Sequence, residues 1–418
     1  MARKIAFVGC QYGDEGKGKV ISYFLDKFSS NKVLSFRYQG GNNAGHTVVV
    51  NGETYKLNQV PSAIVNSKVY CLLGSGMYID PKSLVAEIKK LIEMNVSLSP
   101  ENLGISSNAH ITLKHHLLDD QASYNLAEHT STGSGIKQTA IDKYSRIGIR
   151  FGEFLDKELM ISILKEKKFP KGMPEQLGTY EGFAGEYDEE REFLRKFLIL
   201  EQDVLANPDF SLWLIEGAQG WGLDVDHGQY PGVTSSHPCL PVGRPDKIIG
   251  VFKAYPSSVG IGDRPFVTEM DDLQDNLRRS WGEFGTKTGK PRHIGWFDLV
   301  AAKQALNCAF VDYISITCLD KLEELFKAGE KIKIAVAYEL DGKEFNKWDV
   351  AFNNRGVLRN AKPIYKEFEP WEKTVEDGKL TSNAQKYVDF IEEQTGKPVV
   401  LVGTGPADKD IIIRKEID

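Results

Sequence analysis

A glycine-rich turn near the start of the chain constrains the fold more than any other stretch. Residues 5–8 are apolar and predict a buried strand, and residues 20–25 predict a helix. The turn between them, residues 9–19, reads Gly-Cys-Gln-Tyr-Gly-Asp-Glu-Gly-Lys-Gly-Lys. Such a turn directs backbone N–H groups and the positive end of the helix dipole toward an anion, usually a phosphate. The pattern therefore predicts a phosphate site after the first strand of an α/β fold.

This turn is not a Walker A loop, because its spacing differs. A Walker A loop has a glycine, four further residues and then Gly-Lys-Ser/Thr. Here Gln11 takes the place of the first glycine, and Gly18 takes the place of the hydroxyl residue. Asp14 lies among the glycines, where a carboxylate would repel a phosphate. We therefore expect Asp14 to act as a metal ligand or a general base.

Strand and helix patterns then alternate along the chain. Residues 33–38 and 48–50 predict strands, and residues 70–77 predict a strand followed by a turn. Asp80 precedes Pro81 and predicts a helix cap. Alternation of this kind predicts a mainly parallel sheet.

Later segments predict helices without a clear domain boundary. Residues 153–207 are charged and helix-rich, and we assign them no function. Ser382 and Gln385 predict the capping box of a late helix that ends at Gly396. We expect a single domain over residues 1–418.

Polar loops follow several predicted strands. His46 lies among glycines and asparagines, where a ligand contact is favoured over a purely structural hydrogen bond. Residues 285–293 form the most basic loop of the sequence. Its composition is equally consistent with a binding site for a carboxylate or phosphate and with a plain exposed turn. Asp320 follows a strand, where its carboxylate would accept two hydrogen bonds from guanine. Residues 224–228 include two aspartates and a histidine, but their spacing favours a hydrogen-bonded loop over a metal site.

The composition excludes several classes of protein. A formal net charge of −6 gives no indication of binding to nucleic acid or to a membrane surface. The five cysteines have neither paired nor metal-ligand spacing, which indicates a reducing compartment. The sequence contains neither a long apolar run nor a signal-peptide pattern, so we expect a cytoplasmic protein.

Six segments, taken in order, resemble the adenylosuccinate synthetase family. They are Gly13-Asp14-Glu15-Gly16-Lys17-Gly18-Lys19, Asn43-Ala44-Gly45-His46-Thr47, Glu216-Gly217-Ala218-Gln219-Gly220, Thr288-Gly289, Gly295-Trp296-Phe297-Asp298 and Thr404-Gly405-Pro406. The resemblance covers nearly the whole chain, and the first two segments are highly specific. It implies one large, mainly parallel sheet with helices on both faces, helical insertions and a phosphate loop of non-Walker type. It also implies a homodimer that joins aspartate to C6 of a 6-oxopurine nucleotide, normally IMP, with GTP and Mg²⁺.

The resemblance also implies a role for each matching residue. Asp14 removes the N1 proton of the purine, O6 attacks the γ-phosphate, and the aspartate amine then displaces phosphate from C6. His46 acts as general acid toward the transferring phosphate, and Asp14 and the Gly45 carbonyl hold the Mg²⁺. Arg146 reaches the nucleotide phosphate in the site of the partner subunit.

The residues expected to contact each substrate follow from the same resemblance. For the purine nucleotide they are Asp14, Glu15, Gly16, Lys17, Asn43, Ala44, Gly45, His46, Thr132, Arg146, Gln219, Thr234 and Lys290. For aspartate they are Thr286, Lys287, Thr288, Gly289, Lys290 and Arg292. For the triphosphate donor they are Gly13, Gly16, Lys17, Gly18, Gly45, Thr47, Arg292, Cys318, Asp320, Gly403, Thr404 and Gly405.

Three departures from the common bacterial form of the family leave the substrates open. Cys318 replaces the lysine of the guanine-reading motif and Gly403 replaces a serine, so ATP is an alternative to GTP. Lys290-Pro291 replaces an arginine pair, and a lysine cannot form a bidentate fork to aspartate and a ribose hydroxyl. A weaker hold on that hydroxyl suits a deoxynucleotide.

Two alternatives to the IMP reaction therefore stay open. One is the phage-type reaction, which converts dGMP to 2-amino-deoxyadenylosuccinate with ATP or dATP. Those relatives have a serine at the position of Asp14, so the aspartate of this chain favours IMP. The other is a non-catalytic nucleotide-binding switch, which would have no use for the basic loop at residues 286–292.

Overall fold

The structure is a computed structural model that describes residues 2–28, 32–50, 52–124, 132–166, 178–259, 266–270, 273–285 and 289–417. Its strands are β1 (Arg3–Gly9), β2 (Val33–Gly41), β3 (His46–Val50), β4 (Glu53–Leu57), β5 (Val69–Ile79), β6 (Leu103–Ser106), β7 (His110–Ile111), β8 (Leu198–Ile199), β9 (Leu212–Glu216), β10 (Lys247–Lys253), β11 (Ser257–Ser258), β12 (His293–Ile294), β13 (Phe297–Asp298), β14 (Tyr313–Thr317), β15 (Ile332–Leu340), β16 (Lys343–Phe345), β17 (Lys362–Phe368), β18 (Val375–Glu376), β19 (Lys379–Leu380), β20 (Val399–Gly403) and β21 (Ile411–Ile413). Its helices are α1 (Lys17–Lys27), α2 (Pro81–Glu93), α3 (Lys114–Tyr124), α4 (Ile136–Tyr144), α5 (Phe151–Phe154), α6 (Lys157–Glu166), α7 (Tyr180–Gly185), α8 (Asp188–Leu194), α9 (Glu201–Leu205), α10 (Gln274–Trp281), α11 (Leu299–Cys308), α12 (Glu323–Ala328), α13 (Arg355–Leu358) and α14 (Ser382–Thr395).

An eleven-stranded, mainly parallel sheet dominates the described part of the chain, which confirms the predicted fold class. The parallel pairs include β1 with β10, β10 with β14, β14 with β20, β2 with β5 and β2 with β9. The edge strand β21 is antiparallel to β20. Parallel strands of this kind are buried on both faces, and every residue of β2 and β9 is buried.

Contacts divide the chain into two compact units, each assembled from several segments. The first unit contains Met1–Lys4, Leu25–His46 and Tyr55–Glu216. The second contains Ile5–Phe24, Thr47–Thr54 and Gly217–Asp418. The chain passes between the units without a linker, and the expectation of a single domain stays a prediction.

The first unit carries the strand order β9-β2-β5-β6-β8, with β7 also paired to β5. Helix α2 buries an apolar face that contains Leu84, Ile88 and Leu91. Asp80 caps α2 as predicted, because its carboxylate accepts the N–H of Ser83 at 3.2 Å. Helices α5–α9 form the predicted helix-rich region. The charged residues there are not all solvated, since Arg191 and Glu201 are buried, and Arg191 donates to the carbonyl of Phe154 at 2.7 Å.

The second unit carries the strand order β21-β20-β14-β10, followed by the greater part of β1. A second, four-stranded sheet of β13, β15, β16 and β17 belongs to the same unit. The apolar core of this second unit includes Phe252, Tyr255, Trp281 and Tyr387. The Tyr387 hydroxyl donates to the carbonyl of Ala254 at 2.7 Å, so that this buried polar group is satisfied.

The predicted strand at residues 48–50 is confirmed as part of β3, which pairs with β4. Two other local predictions are wrong. Strand β5 continues through Gly74 and Gly76 to Ile79, because a parallel neighbour on each side pairs with it. Ser382 is the first residue of α14, Thr381 is the cap, and the predicted capping box is absent from these described residues. Gly396 ends the helix with a φ of +66°, as predicted.

Candidate active site

The predicted phosphate loop joins β1 to α1 in the second unit. Gly13 and Gly16 adopt left-handed conformations with φ of +94° and +82°, which suit glycine. Asp14 between them has a φ of +58°, and its side chain is 36% exposed. Its carboxylate therefore faces outward from a loop whose backbone is tightly turned.

Glu15 closes this loop from inside and is fully buried. Its carboxylate accepts the N–H groups of Gln11 and Gly13 at 3.1 and 2.8 Å and the ammonium of Lys17 at 2.7 Å. Lys17 also donates to the carbonyl of Gln219 at 2.6 Å. The Glu15 side chain is thus committed to the loop itself, and its charge offsets that of Lys17.

The predicted loop after β9 packs directly against the phosphate loop within the second unit. A Cβ atom at Gly9 would lie 2.3 Å from the carbonyl oxygen of Gln219, and one at Gly220 would lie 2.2 Å from Glu15 Oε1. Only glycine allows this approach, which brings Gln219 beside Gly13 and Lys17. Thr234, also in this unit, donates its N–H to the carbonyl of Leu223 at 2.7 Å.

Asp14 is paired with Arg292, which the sequence places in the aspartate loop. The Arg292 Nη2 donates to Asp14 Oδ2, and Nη1 donates to Glu283 at 2.9 Å. Burial lowers the pKa of Arg292, but the charges of Asp14 and Glu283 outweigh it and raise the pKa overall. Arg292 is thus a permanent cation held against the candidate general base.

Glu283 is the buried anchor of this arrangement. It also accepts from Lys253 at 2.8 Å, Tyr255 at 2.7 Å and Ser257 at 2.9 Å. Burial raises the pKa of Glu283, but the charges of Lys253 and Arg292 reverse this effect and hold the pKa well below its usual value. Its fixed negative charge sets the position of Arg292.

The remaining predicted residues of the aspartate loop are only partly described. Thr286, Lys287 and Thr288 lie outside the described residues. Gly289 donates its N–H to the carbonyl of Gly285 at 2.8 Å, and the Gly285 N–H donates to that of Lys290 at 2.8 Å.

His46 lies in the first unit and is oriented by Glu216. Its Nδ1 is 2.8 Å from Glu216 Oε1, and both side chains are buried. Glu216 also accepts the hydroxyl of Ser62 at 2.6 Å and its N–H at 2.8 Å. Burial raises the pKa of Glu216, but His46, Arg37 and Ser62 lower it to about 2. The ionised carboxylate places the His46 proton on Nδ1 and directs Nε2 the other way.

The other predicted residues of the first unit lie in three places, which are the loop between β2 and β3, the segment before α4 and the turn after α4. Asn43, Ala44 and Gly45 connect β2 to β3, and the carbonyl of Ala44 accepts from Asn58 at 2.6 Å. Thr132 precedes α4, and its hydroxyl donates to Ser134 at 2.9 Å. Arg146 is exposed in the turn after α4, with a φ of +63°.

Five of the predicted donor residues lie at the ends of neighbouring strands β14 and β20, namely Cys318, Asp320, Gly403, Thr404 and Gly405. The hydroxyl of Thr317 donates to the carbonyl of Glu15 at 2.6 Å, and a Cβ at Gly403 would lie 3.3 Å from Thr317 Cα. Cys318 follows with a φ of +58°, and burial raises the pKa of Asp320 two residues later. Gly16, Gly18, Thr404 and Gly405 belong to the same unit, as does Thr47.

Residues 224–228 form the hydrogen-bonded loop that the sequence favours. Asp224 accepts the N–H groups of Asp226 and His227 at 3.0 and 3.1 Å and the thiol of Cys239 at 3.0 Å.

The sequence alone does not identify the supporting charged residues. Glu216 belongs to one of the six segments of the resemblance without an assigned role, and no sequence pattern indicates Glu283 or Lys253. The one available signal was the placement of Glu216 directly after an apolar strand, since a buried carboxylate requires a partner.

Comparison with known proteins points in one direction. Residues 6–412 match the family model for adenylosuccinate synthetase. The adenylosuccinate synthetase of Pelotomaculum thermopropionicum is 37% identical over 99% of each chain, and that of Listeria welshimeri is 38% identical over 96% of each. The fully ligated adenylosuccinate synthetase of Plasmodium falciparum has a TM-score of 0.85 at 28% identity and covers 98% of this chain and 99% of its own.

A phage enzyme shares the fold at lower identity. Cyanophage S-2L succinoaminodeoxyadenylate synthetase (PurZ), bound to dGMP and dATP, has a TM-score of 0.62 at 21% identity and covers 99% of this chain and 95% of its own.

Proposed function

The chain belongs to the adenylosuccinate synthetase family, ligases of purine biosynthesis, and we propose that it joins L-aspartate to C6 of IMP. The reaction would consume a nucleoside triphosphate through a 6-phosphoryl intermediate. The observation that carries the proposal is the Asp14 carboxylate, which is set among glycines of a phosphate loop and paired with Arg292.

Asp14 is the proposed base. Removal of the purine N1 proton by its carboxylate makes O6 nucleophilic, so that O6 attacks the γ-phosphorus and the nucleoside diphosphate leaves. O6 then carries the phosphoryl group. The amine of aspartate attacks C6, and O6 leaves with the phosphoryl group as inorganic phosphate. Without this activation the 6-oxo group would be a poor leaving group.

Arg292 would link aspartate binding to the release of this base. In the structure its guanidinium pairs with Asp14, whereas the proposed substrate offers it two carboxylates. Transfer of Arg292 to a substrate carboxylate would free Asp14 for the N1 proton. Glu283 would hold Arg292 in reach throughout, because it binds the other guanidinium nitrogen.

His46 is the proposed acid at the transferring phosphate. The Glu216 carboxylate at Nδ1 stabilises the protonated ring and leaves Nε2–H to donate to a phosphate oxygen. Positive charge on the ring also offsets the charge that builds on the moving phosphoryl group.

Mg²⁺ is the proposed cofactor, with Asp14 and the Gly45 carbonyl as its protein ligands. A carboxylate and a carbonyl are the hard oxygen donors that Mg²⁺ prefers, and it usually takes only one or two such groups besides phosphates. When bound, the ion would neutralise charge on the donor phosphates. Asp14 must first leave Arg292, so the substrate and the ion would act on the same carboxylate.

The donor and the assembly are further parts of the proposal. Asp320 supports GTP as a guanine acceptor, whereas Cys318 in place of a lysine supports ATP. Arg146 is exposed in the turn after α4, which supports a homodimer in which it reaches the partner subunit's nucleotide.

A substrate matrix tests the proposal. Purified protein would receive IMP or dGMP, GTP or ATP, Mg²⁺, and either aspartate or none, with release of phosphate and formation of the succino-nucleotide measured together. We expect aspartate-dependent release with IMP. Far better turnover with dGMP would replace the proposal by the phage-type reaction, which Lys290-Pro291 would then explain. Phosphate release without aspartate would indicate a switch.

A further inference from the structure

We propose that Lys19 positions the base pocket of the phosphate donor and does not bind the donor's phosphates. This inference rests on the proposed function, because it assumes that Asp320 and residues 403–405 surround the donor purine. Lys19 lies in the first turn of α1, directly after the phosphate loop, where a lysine would ordinarily be assigned to phosphate.

The ammonium group of Lys19 is held by carbonyl groups of the loop between β20 and β21. It donates to the carbonyl oxygen of Gly405 and, at 2.9 Å, to that of Asp410. Two of its three N–H donors are therefore used within the protein. Since both acceptors are backbone groups, the contact depends on the shape of the loop and not on its side chains.

These two carbonyls lie where the loop closes. The Asp410 carbonyl also accepts the N–H of Thr404 at 2.8 Å, and its carboxylate accepts the N–H of Ala407 at 2.9 Å. Gly403 pairs with Ile411 directly beyond the loop. Lys19 thus ties α1 to the closed end of the segment that begins with Gly403, Thr404 and Gly405.

The opposite wall of the pocket follows strand β14, which pairs with β20 in parallel register at Ile316 and Val402. Cys318 and Asp320 come next in the chain. Burial lowers the pKa of Lys19, and the charges of Asp410 and Asp320 oppose this effect. The ammonium of Lys19 therefore holds one wall by hydrogen bonds and attracts the Asp320 carboxylate of the other by charge.

The position of Lys19 in the helix strengthens this assignment. A cation in the first turn opposes the helix dipole, and the first turn of α1 has no acidic residue to offset it. Carbonyl oxygens of the β20–β21 loop supply the missing negative partial charge.

Binding measurements can separate the base from the phosphates. Affinities for GTP, ATP and inorganic tripolyphosphate would be measured by calorimetry without acceptor or aspartate, for the wild type, Lys19→Met and Lys19→Arg. Lys27→Met, in the last turn of the same helix, is the matched control. Tripolyphosphate reports the phosphate subsite alone.

We expect Lys19→Met to weaken binding of the preferred nucleoside triphosphate at least about tenfold, since a hydrogen-bonded charge is lost. The ratio of the affinities for GTP and ATP should also move toward one. Affinity for tripolyphosphate, the KM for IMP and the KM for aspartate should stay within about threefold of the wild type. Lys19→Arg should restore part of the base discrimination.

Two results would overturn the inference. An equal loss of tripolyphosphate and nucleotide affinity, with an unchanged GTP-to-ATP ratio, would make Lys19 a phosphate ligand. If the wild-type protein binds neither GTP nor ATP, it has no donor site, and the proposed function fails together with this inference.

Discussion

Four residues with a predicted chemical role have left-handed backbone although they are not glycine. They are Asp14, Arg146, Gln219 and Cys318, and they belong to the nine non-glycine residues with positive φ in the described part of the chain. Such conformations are sparsely populated and persist where the surroundings fix them. The sequence indicated these residues by their chemistry, but their backbone geometry depends on contacts that no local pattern contains.

Replacement of Asp14 by asparagine tests the base without disturbing this backbone. Asparagine tolerates left-handed φ, so the loop should keep its shape while the proton acceptor is lost. We expect turnover to fall by roughly 10²–10⁴-fold, measured as aspartate-dependent product formation. Asp377→Asn is the matched control, because Asp377 has a φ of +49° in the β18–β19 turn. Near-full activity of Asp14→Asn would contradict the mechanism.

Glu216→Gln tests the orientation of His46. The amide keeps the shape of the side chain but removes the charge opposite Nδ1, so kcat should fall at least about tenfold. The double variant Glu216→Gln/His46→Asn should lose little more kcat than His46→Asn alone, because the two residues would act as one unit.

The control for Glu216 is a second carboxylate of the first unit. Glu201 is buried and accepts the N–H of Ser75 at 2.6 Å, much as Glu216 accepts that of Ser62. Glu201→Gln should therefore lose about as much stability as Glu216→Gln but keep the kcat of the wild type. Additive effects of Glu216→Gln and His46→Asn would show that the carboxylate acts elsewhere.

At the level of elements, α3 and α4 meet in a group of two buried histidines and a half-buried aspartate. The ligand atoms of His115, His116 and Asp142 lie within 4.8 Å of one another, as a metal site would require. However, His116 Nδ1 accepts the N–H of Leu113 at 2.9 Å, so its neutral ring carries the proton on Nε2. That proton faces Asp142 Oδ2 at 3.0 Å. We interpret the group as a hydrogen-bonded link between the helices.

This link predicts a pH-dependent loss of stability. Burial lowers the pKa of His115 to about 4 and outweighs the opposing attraction of the nearby Asp142 carboxylate. A lowered pKa means that the folded state favours the neutral ring. The stability that the neutral ring contributes is therefore fully present above the pKa of the unfolded state, which is near 6.5. It is lost as the pH falls toward 4.

His115→Gln should reduce this acid sensitivity. Between pH 7 and pH 5, the wild type should lose about 2 kcal/mol more unfolding free energy than the variant, measured by urea titration. The comparison must be between variants, because burial raises the pKa of Asp298 to about 6 and makes that group stabilising as the pH falls. The exposed His227→Gln is the control, and an equal slope for wild type and His115→Gln would refute the prediction.

The sequence predicted elements best where one local signal decides them. Strand β1, helix α1 and the Asp80 cap follow from an apolar run, a glycine turn and an Asp-Pro pair. Strand β5 runs through two glycines because neighbouring strands pair with it, and no local signal reports a neighbour. The same limit explains why His46 was selected from its loop whereas its partner Glu216, distant in the chain, was not.

At the scale of the whole molecule, the chain concentrates positive charge locally despite a net charge of −6. Buried carboxylates such as Glu15 and Glu283 hold Lys17, Lys253 and Arg292 in fixed positions. Fixed cations stabilise developing charge better than mobile surface ones, because no reorganisation is needed during the reaction. In the described part of the chain, no helix is long and apolar enough to cross a bilayer.

The proposed assembly predicts that two inactive variants restore each other. If Arg146 acts in the partner's site, Asp14→Asn and Arg146→Leu homodimers should each be impaired. A mixed dimer would contain one intact site, in which the Asp14 of one chain meets the Arg146 of the other. Equal mixing with free exchange forms mixed dimers in half of the population, so about a quarter of wild-type turnover should return.

The control mixes Asp14→Asn with His46→Asn, which the proposal places in one site of one chain, so that no mixed dimer has an intact site. Turnover would be measured before and after subunit exchange, and the assembly state by sedimentation. Recovery only in the Arg146 mixture requires that a residue crosses the interface. No recovery in either mixture despite proven exchange would place Arg146 in its own chain's site and leave the dimer without a catalytic role. Equal recovery in both mixtures would place Asp14 and His46 of one site on different chains, against the proposal.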